Sequence, residues 1–341
     1  VLPHPPAVPV RWDPVGQVLA VTGLGSLVYA LIQGPVDGWR KPAVLFALVT
    51  AAVALPAFAV VEARGPRPML EPALFRDRVC GAAAVSCFAS SLGLFGGTFF
   101  LTLFLQSILG WSAAGAGAVF LSGSMFMALT APAAGMLTGR YGVRLPLVLG
   151  LALSVLALLG LSSYGRQAAY TEYGWLLPVL GAGTGLLFVP TMITLVERSH
   201  ATRAATASAV VDTLREVGGL IGIAALGAVL TTRMRIALND RAASAGLPHD
   251  AVEGLVRTVV ANGPARGFGV HHAGVLLPGA RVWAEESFVD GLRLALRCGA
   301  VTLACTLVVV LVLLRSRHAS TVAVPRGQAP GEPPASSFFN R

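Results

Sequence analysis

Eight stretches of this sequence are apolar for long enough to cross a bilayer, and that feature removes most of the folds otherwise open to 341 residues. A spanning helix needs about 20 mostly apolar residues to traverse roughly 30 Å of hydrocarbon, where its backbone N–H and C=O groups must bond to each other. The runs cover residues 15–32, 43–61, 80–105, 114–138, 145–164, 175–196, 205–230 and 288–314. Pro132, Pro178 and Pro190 lie inside them, which membrane helices tolerate. Charged residues make up only 12% of the chain, too few to cover a globular surface. A soluble enzyme and a nucleic-acid-binding module are therefore disfavoured, in spite of a net charge of +9. The expected architecture is an all-α, polytopic membrane protein with eight transmembrane helices and the lipid bilayer as its solvent.

An even number of spans puts both termini on one side, and the arginines indicate which. The terminal side holds thirteen cations: Arg11, then Arg64, Arg67, Arg76 and Arg78, then Arg140 and Arg144, Arg198 and Arg203, and finally Arg315, Arg317, Arg326 and Arg341. Short loops on the other side hold three, Arg40, Lys41 and Arg166. Cytoplasmic loops are enriched in Arg and Lys, so both termini are expected in the cytoplasm of a plasma-membrane protein. The polar stretch 231–287 carries six more, but long loops translocate largely regardless of charge. Within it, residues 250–260 are predicted as a surface helix whose Val252, Leu255, Val256, Val259 and Val260 form a broad apolar face. Residues 262–279, rich in Gly and Pro, read as loop. The division expected is a cytoplasmic segment at 1–14, two helices in 15–61, a cytoplasmic loop at 62–79, six helices in 80–314 with an exterior loop at 231–287, and a proline-rich disordered cytoplasmic tail at 315–341.

Ionisable groups inside a membrane are costly, so each is a functional candidate. The sharpest set is Asp212, Arg215 and Glu216. The uncharged run after them, 217–230, has only fourteen residues, so its span must reach back and draw all three into the membrane or its cytoplasmic edge. At 100° per residue they share about one third of the helix circumference. Asp212 and Arg215, three apart, can pair, which leaves Glu216 as a surplus carboxylate able to carry a proton in a poorly solvated cleft. Glu216, with Asp212 second, is the candidate for coupling proton movement to transport. The competing reading is an interfacial ion cluster that only orients its helix.

Other positions are weaker. Asp290, Arg293 and Arg297 share a face, but residues 298–314 can span without them, so pairing and snorkelling at the outer edge are expected. His271, His272, Glu285 and Glu286 read as solvated loop residues without ligand spacing. Cys80 and Cys87, like Cys298 and Cys305, are seven apart in apolar runs and read as small buried hydrophobes. No metal or cofactor is expected, and no span contains the histidine that a membrane-embedded enzyme would favour. Gly181, Gly183 and Gly185, and Gly218, Gly219, Gly222 and Gly227, read as sites of close helix packing, because a nucleotide loop would need a strand before it. Gln106, Ser90, Ser91 and Thr191 are the polar candidates for a substrate path, set against the common case of hydroxyls that bond their own helix.

Residues 135–145, GMLTGRYGVRL, resemble the cytoplasmic signature loop of the major facilitator superfamily in its weaker second-half copy, with Gly135, Arg140, Gly142 and Arg144 matching. The acidic residue usual in that loop falls at Gly139, and a further basic position at Val143. PMLEPALFRDR at 68–78, FLTLFLQSILGWSAAGAG at 100–117, YALIQGPVDGW at 29–39 and TASAVVDTLREVGGLIGIAALGAVL at 206–230 resemble the fourteen-spanning drug:proton antiporters of that superfamily. The resemblance runs from Arg11 to about Arg317. It implies two linker helices followed by the second six-helix bundle, with no counterpart to the first bundle. It also implies a C-terminal part of a proton-driven exporter of small hydrophobic or cationic molecules, with protons and a separate N-terminal six-helix half as partners. Arg215 is typical of the family and implied to be structural or gating, whereas amides are commoner at the positions of Asp212 and Glu216. The alternative is a non-transporting membrane fragment or partner subunit that needs such a half.

Overall fold

A computed structural model describes residues 14–64, 77–165, 169–198, 204–244 and 280–314. Their regular structure is entirely helical. Eight helices are long and apolar enough to cross a membrane. They are α1 (Pro14–Asp37), α2 (Pro42–Arg64), α3 (Arg78–Leu103), α4 (Ala113–Tyr141), α5 (Arg144–Leu161), α6 (Leu176–Arg198), α7 (Ala204–Ser244) and α8 (Ala280–Leu313). A single helical turn, Tyr170–Tyr173, precedes α6. Local chemistry sets several boundaries. Asp77 caps α3 by accepting the Val79 N–H at 2.9 Å, and Ser112 caps α4 by accepting that of Gly115 at 3.1 Å. Gly142 ends α4 at φ +78°, its N–H donating to the Thr138 carbonyl at 2.9 Å.

Glycines decide which helices touch. A methyl group on Gly96 of α3 would stand 2.7 Å from the Gly222 carbonyl of α7, and one on Gly218 would stand 2.6 Å from that of Phe88. These contacts zip α3 and α7 together in parallel. In the same way Gly185 of α6 meets the Met127 carbonyl of α4, and Gly150 of α5 meets that of Gly183 in α6. Only a residue without a Cβ lets two backbones approach so closely, and in lipid such packing is a main source of helix association. The glycines of α6 and α7 are thus packing residues, as their sequence context suggests. Gly219 and Gly227 do the same work against the rings of Phe95 and Phe100.

One buried cluster runs through α3 to α8, with Leu105, Leu151, Leu158, Leu187, Leu238 and Leu303 among its fully enclosed members. The first two helices form their own small cluster around Ala30, Val44 and Ala47. They lean on the others chiefly through α1 against α7, where Arg235 Nη1 donates to the Pro35 carbonyl at 3.4 Å.

Two helix ends depart from the expectation set by hydropathy. The helix expected to stop at 230 continues to Ser244, and the one expected to begin at 288 begins at Ala280. The apolar run ends at Leu230, but an amphipathic helix does not need one. Met234, Leu238 and Ala242 recur at helical spacing and bury in one cluster with Ala284, Phe288 and Val289 of α8. At 1.5 Å per residue α7 is about 60 Å long, twice the hydrocarbon thickness. The surface helix predicted at 250–260, the loop at 262–279 and the tail at 315–341 lie outside the described residues.

Candidate functional site

The three charges predicted on the seventh helix form one cluster on α7. Arg215 Nη2 lies 3.3 Å from Asp212 Oδ1 and 3.6 Å from Glu216 Oε1. One nitrogen therefore serves both acids. Helical spacing alone pairs Arg215 with Asp212 and leaves Glu216 apart, but the length and flexibility of the two side chains overcome the 100° step between neighbours. The set still holds two carboxylates for one guanidinium. Their side chains are 59%, 39% and 65% exposed for Asp212, Arg215 and Glu216, so this chain itself leaves the acids uncovered. Behind them the helix is closely backed. Cys87 of α3 points its thiol at the Val211 carbonyl at 3.8 Å, and Ala83, Cys87, Leu195 and Val211 form a small buried cluster. Phe188 of α6 packs on that cluster and presents its ring to the Arg215 guanidinium, 6.0 Å from ring centroid to Cζ.

The basic turn between α4 and α5 places Arg140 and Arg144 on the surface, with Arg140 over the ring of Tyr141 at 5.6 Å. Gly142 is required there by its positive φ. Gly135 is not required by packing within the described residues, since a Cβ on it would meet nothing within 4 Å. The substrate-path candidates separate. Ser90 and Thr191 are fully buried and donate their hydroxyls to the Ser86 and Leu187 carbonyls one turn back. Ser91 is also buried, beside Gly218, but its hydroxyl has no hydrogen-bond partner among the described residues. Gln106 is exposed, in a π-helical turn at Phe104–Ile108 that ends α3. Such turns often mark functional sites.

A family model described as Major Facilitator Superfamily matches residues 14–223 of this sequence. The chain belongs to the major facilitator superfamily. Its curated relatives include the multidrug resistance protein Stp of Mycobacterium tuberculosis, 32% identical over 302 residues, and the tetracenomycin C resistance and export protein of Streptomyces glaucescens, 30% identical over 302. The puromycin resistance protein pur8 of Streptomyces alboniger is 34% identical over 254 residues. The first two alignments take in 86% of this chain and 55% of the relative, the third 72% and 49%. The chain thus spans about half the length of the curated relatives it matches. As a major facilitator it is a multi-pass membrane protein of a transporter family.

This major facilitator chain holds a second ionic centre that hydropathy does not mark. Arg241, expected in an exterior loop, sits on the α7 extension and binds α8. Its Nη2 lies 2.7 Å from Asp290 Oδ2, its Nη1 donates to Ser287 Oγ at 3.0 Å, and its Nε lies 3.4 Å from Glu286 Oε2. Arg293 extends the network, 3.9 Å from Asp290 Oδ1 and donating through Nε to the Tyr164 carbonyl at 3.3 Å. Glu285 and Glu286 are therefore helical residues and not loop residues, Glu285 being buried. The signal available in the sequence is the spacing of Met234, Leu238 and Ala242, which continues the helix under Arg241. A third link pairs Asp77 at the start of α3 with Arg198 at the end of α6. Cys80 and Cys87 are buried as expected, while Cys305 of α8 is exposed. His271 and His272 lie outside the described residues.

Proposed function

We propose that this chain is the C-terminal part of a proton-coupled efflux antiporter for small hydrophobic or cationic molecules, built as two linker helices and a second six-helix bundle. The observation that carries the reading is the cluster on α7. Two carboxylates share one guanidinium nitrogen on a helix of spanning length, and both acids are largely exposed in this chain. Such a set holds one carboxylate more than its guanidinium can pair, and that surplus acid is the group assigned to proton exchange. Glu216 is the primary carrier, Asp212 the second, and Arg215 the gate between them. The names of the relatives, which speak of multidrug resistance, of resistance and export and of puromycin resistance, support the substrate class.

The partner in this reading is a six-helix half that packs on the open side, with the substrate path between the two and both termini in the cytoplasm. The apolar face of α4 favours it. Only 11% of that span is buried, against 61% of α3, and Leu121, Met125, Leu129 and Met136 are uncovered. Gly142 with Arg140 and Arg144 shapes the cytoplasmic turn beside that face. Gln106, Ser90, Ser91 and Thr191 are the path candidates.

The test is uptake of a fluorescent lipophilic cation by inside-out membrane vesicles energised with a proton gradient. The chain is supplied alone and together with the six-helix N-terminal half of a relative. Uptake that collapses with a protonophore is expected when the half is present. Glu216→Gln is expected to lose the proton dependence while its helical circular dichroism is unchanged. Uptake that stays proton-linked in Glu216→Gln would remove it as carrier, and no uptake in either condition would leave the non-transporting reading standing.

A further inference from the structure

We propose that Phe188 positions Arg215 against its two carboxylates and thereby sets, from a different helix, the proton affinity of Glu216 and Asp212. The proposal rests on the reading of those acids as proton carriers. The Arg215 guanidinium lies over the Phe188 ring at 6.0 Å while its Nη2 reaches both acids on α7. An aromatic face attracts a cation through its quadrupole, most strongly where water is excluded. Arginine has a long stem with many rotamers, and two exposed carboxylates do not by themselves fix it. The ring supplies a wall on a second side.

Phe188 is suited to that task because it is held. It packs on Cys87 of α3, Leu195 of α6 and Val211 of α7, with Met192 and Leu214 beside it. The ring is therefore the fixed object and the guanidinium the mobile one. Pro190, two residues further along α6, has no N–H to give to the Leu186 carbonyl, so the helix is weakest beside the ring.

The charged and titratable surroundings are few. From α3 the group facing α7 here is the Cys87 thiol, directed at the Val211 carbonyl. Glu197 and Arg198 lie at the last turn of α6, Arg198 paired with Asp77 at the start of α3. The ionic contacts of α8 with α7 are at the opposite end, on Arg241, and α1 meets α7 through Arg235 and the Pro35 carbonyl. Among the described residues Arg215 is thus the cation placed to stabilise the ionised acids, and whatever holds Arg215 holds their charge. With the ring gone the guanidinium spends less time between them, and the acids keep their protons to higher pH.

The test is an infrared pH titration of the carboxylic C=O stretch, on the purified chain in lipid nanodiscs. Difference spectra against Glu216→Gln and Asp212→Asn assign the two bands. Phe188→Leu, which keeps apolar volume and removes the ring, is expected to move the Glu216 midpoint upward by roughly half a pH unit. Phe188→Trp, which keeps an aromatic face, is expected to titrate like the parent. In an Arg215→Gln background Phe188→Leu should produce no further shift. An unmoved midpoint in Phe188→Leu, or an equal shift in the Arg215→Gln background, overturns the proposal. Should Phe188→Leu fail to elute as a folded species, Phe188→Met takes its place with the same two outcomes. Proton binding is read here whether or not the chain transports, so a negative vesicle assay and a negative titration remain separate results. If neither acid titrates, the carrier reading fails and takes this one with it.

Discussion

Gly142 and Gly139 lie three residues apart in the basic turn, yet only one of them is fixed by physics. Gly142 adopts φ +78°, where an L side chain crowds its own backbone, whereas Gly139 is helical and a Cβ on it would meet nothing within 4 Å. Gly142→Ala is expected to lower stability by about 1–2 kcal/mol. Gly139→Ala should be neutral or raise it by about 0.5–1 kcal/mol, because alanine is the better helix former. Denaturant titration of the purified variants in detergent separates the two. The residues of the α7 cluster are legible in the sequence for a related reason. The uncharged run Val217–Leu230 is too short for a span by itself, which singles out Asp212, Arg215 and Glu216 as candidates for the membrane or its cytoplasmic edge. Phe188 has no such mark. One more phenylalanine in an apolar run looks like any other until a neighbouring helix brings a guanidinium to its face.

At the scale of elements, number and order of the helices follow from hydropathy because lipid admits no other way to satisfy the backbone. Their ends do not. Beyond the bilayer water returns, polar residues cost a helix little, and only the face turned to a neighbour decides whether it continues. The α7 extension continues because Met234, Leu238 and Ala242 meet α8 and because Arg241 binds Ser287, Glu286 and Asp290. Arg241→Met keeps the stem and removes the ionic contacts. Charged hydrogen bonds of this kind contribute about 1.5–3 kcal/mol when sheltered, and partial exposure here lowers that to about 1–2 kcal/mol. Amide hydrogen exchange in residues 231–244 should accelerate by roughly five- to thirtyfold, while the glycine-zipped segment of α7 around Gly222 should exchange as before. Asp290→Asn should have the smaller effect, since Arg241 retains Glu286 and Ser287.

For the whole molecule the decisive asymmetry is that its spanning helices are buried to very different degrees. The helices α3 and α6 are enclosed over more than half of their spans, α4 over 11% and α1 over 17%. Sequence does not disclose which face of α4 lies open, because the helix is apolar all round and lipid, protein and a missing partner all accept such a face. At this scale the sequence sets an expectation of orientation, through thirteen cations assigned to the side of the termini against three in the short loops opposite. The structure puts representatives of both sets at opposite ends of spanning helices, Arg40 and Lys41 between α1 and α2, Arg140 and Arg144 between α4 and α5. Both Arg40 and Arg140 are exposed, so each can be replaced by cysteine without opening the core. With the four native cysteines changed to alanine, Arg40→Cys in intact cells is expected to react with a membrane-impermeant maleimide. Arg140→Cys should react only after the membrane is permeabilised. The reverse pattern would invert the topology, and with it the direction in which Glu216 would have to carry its proton.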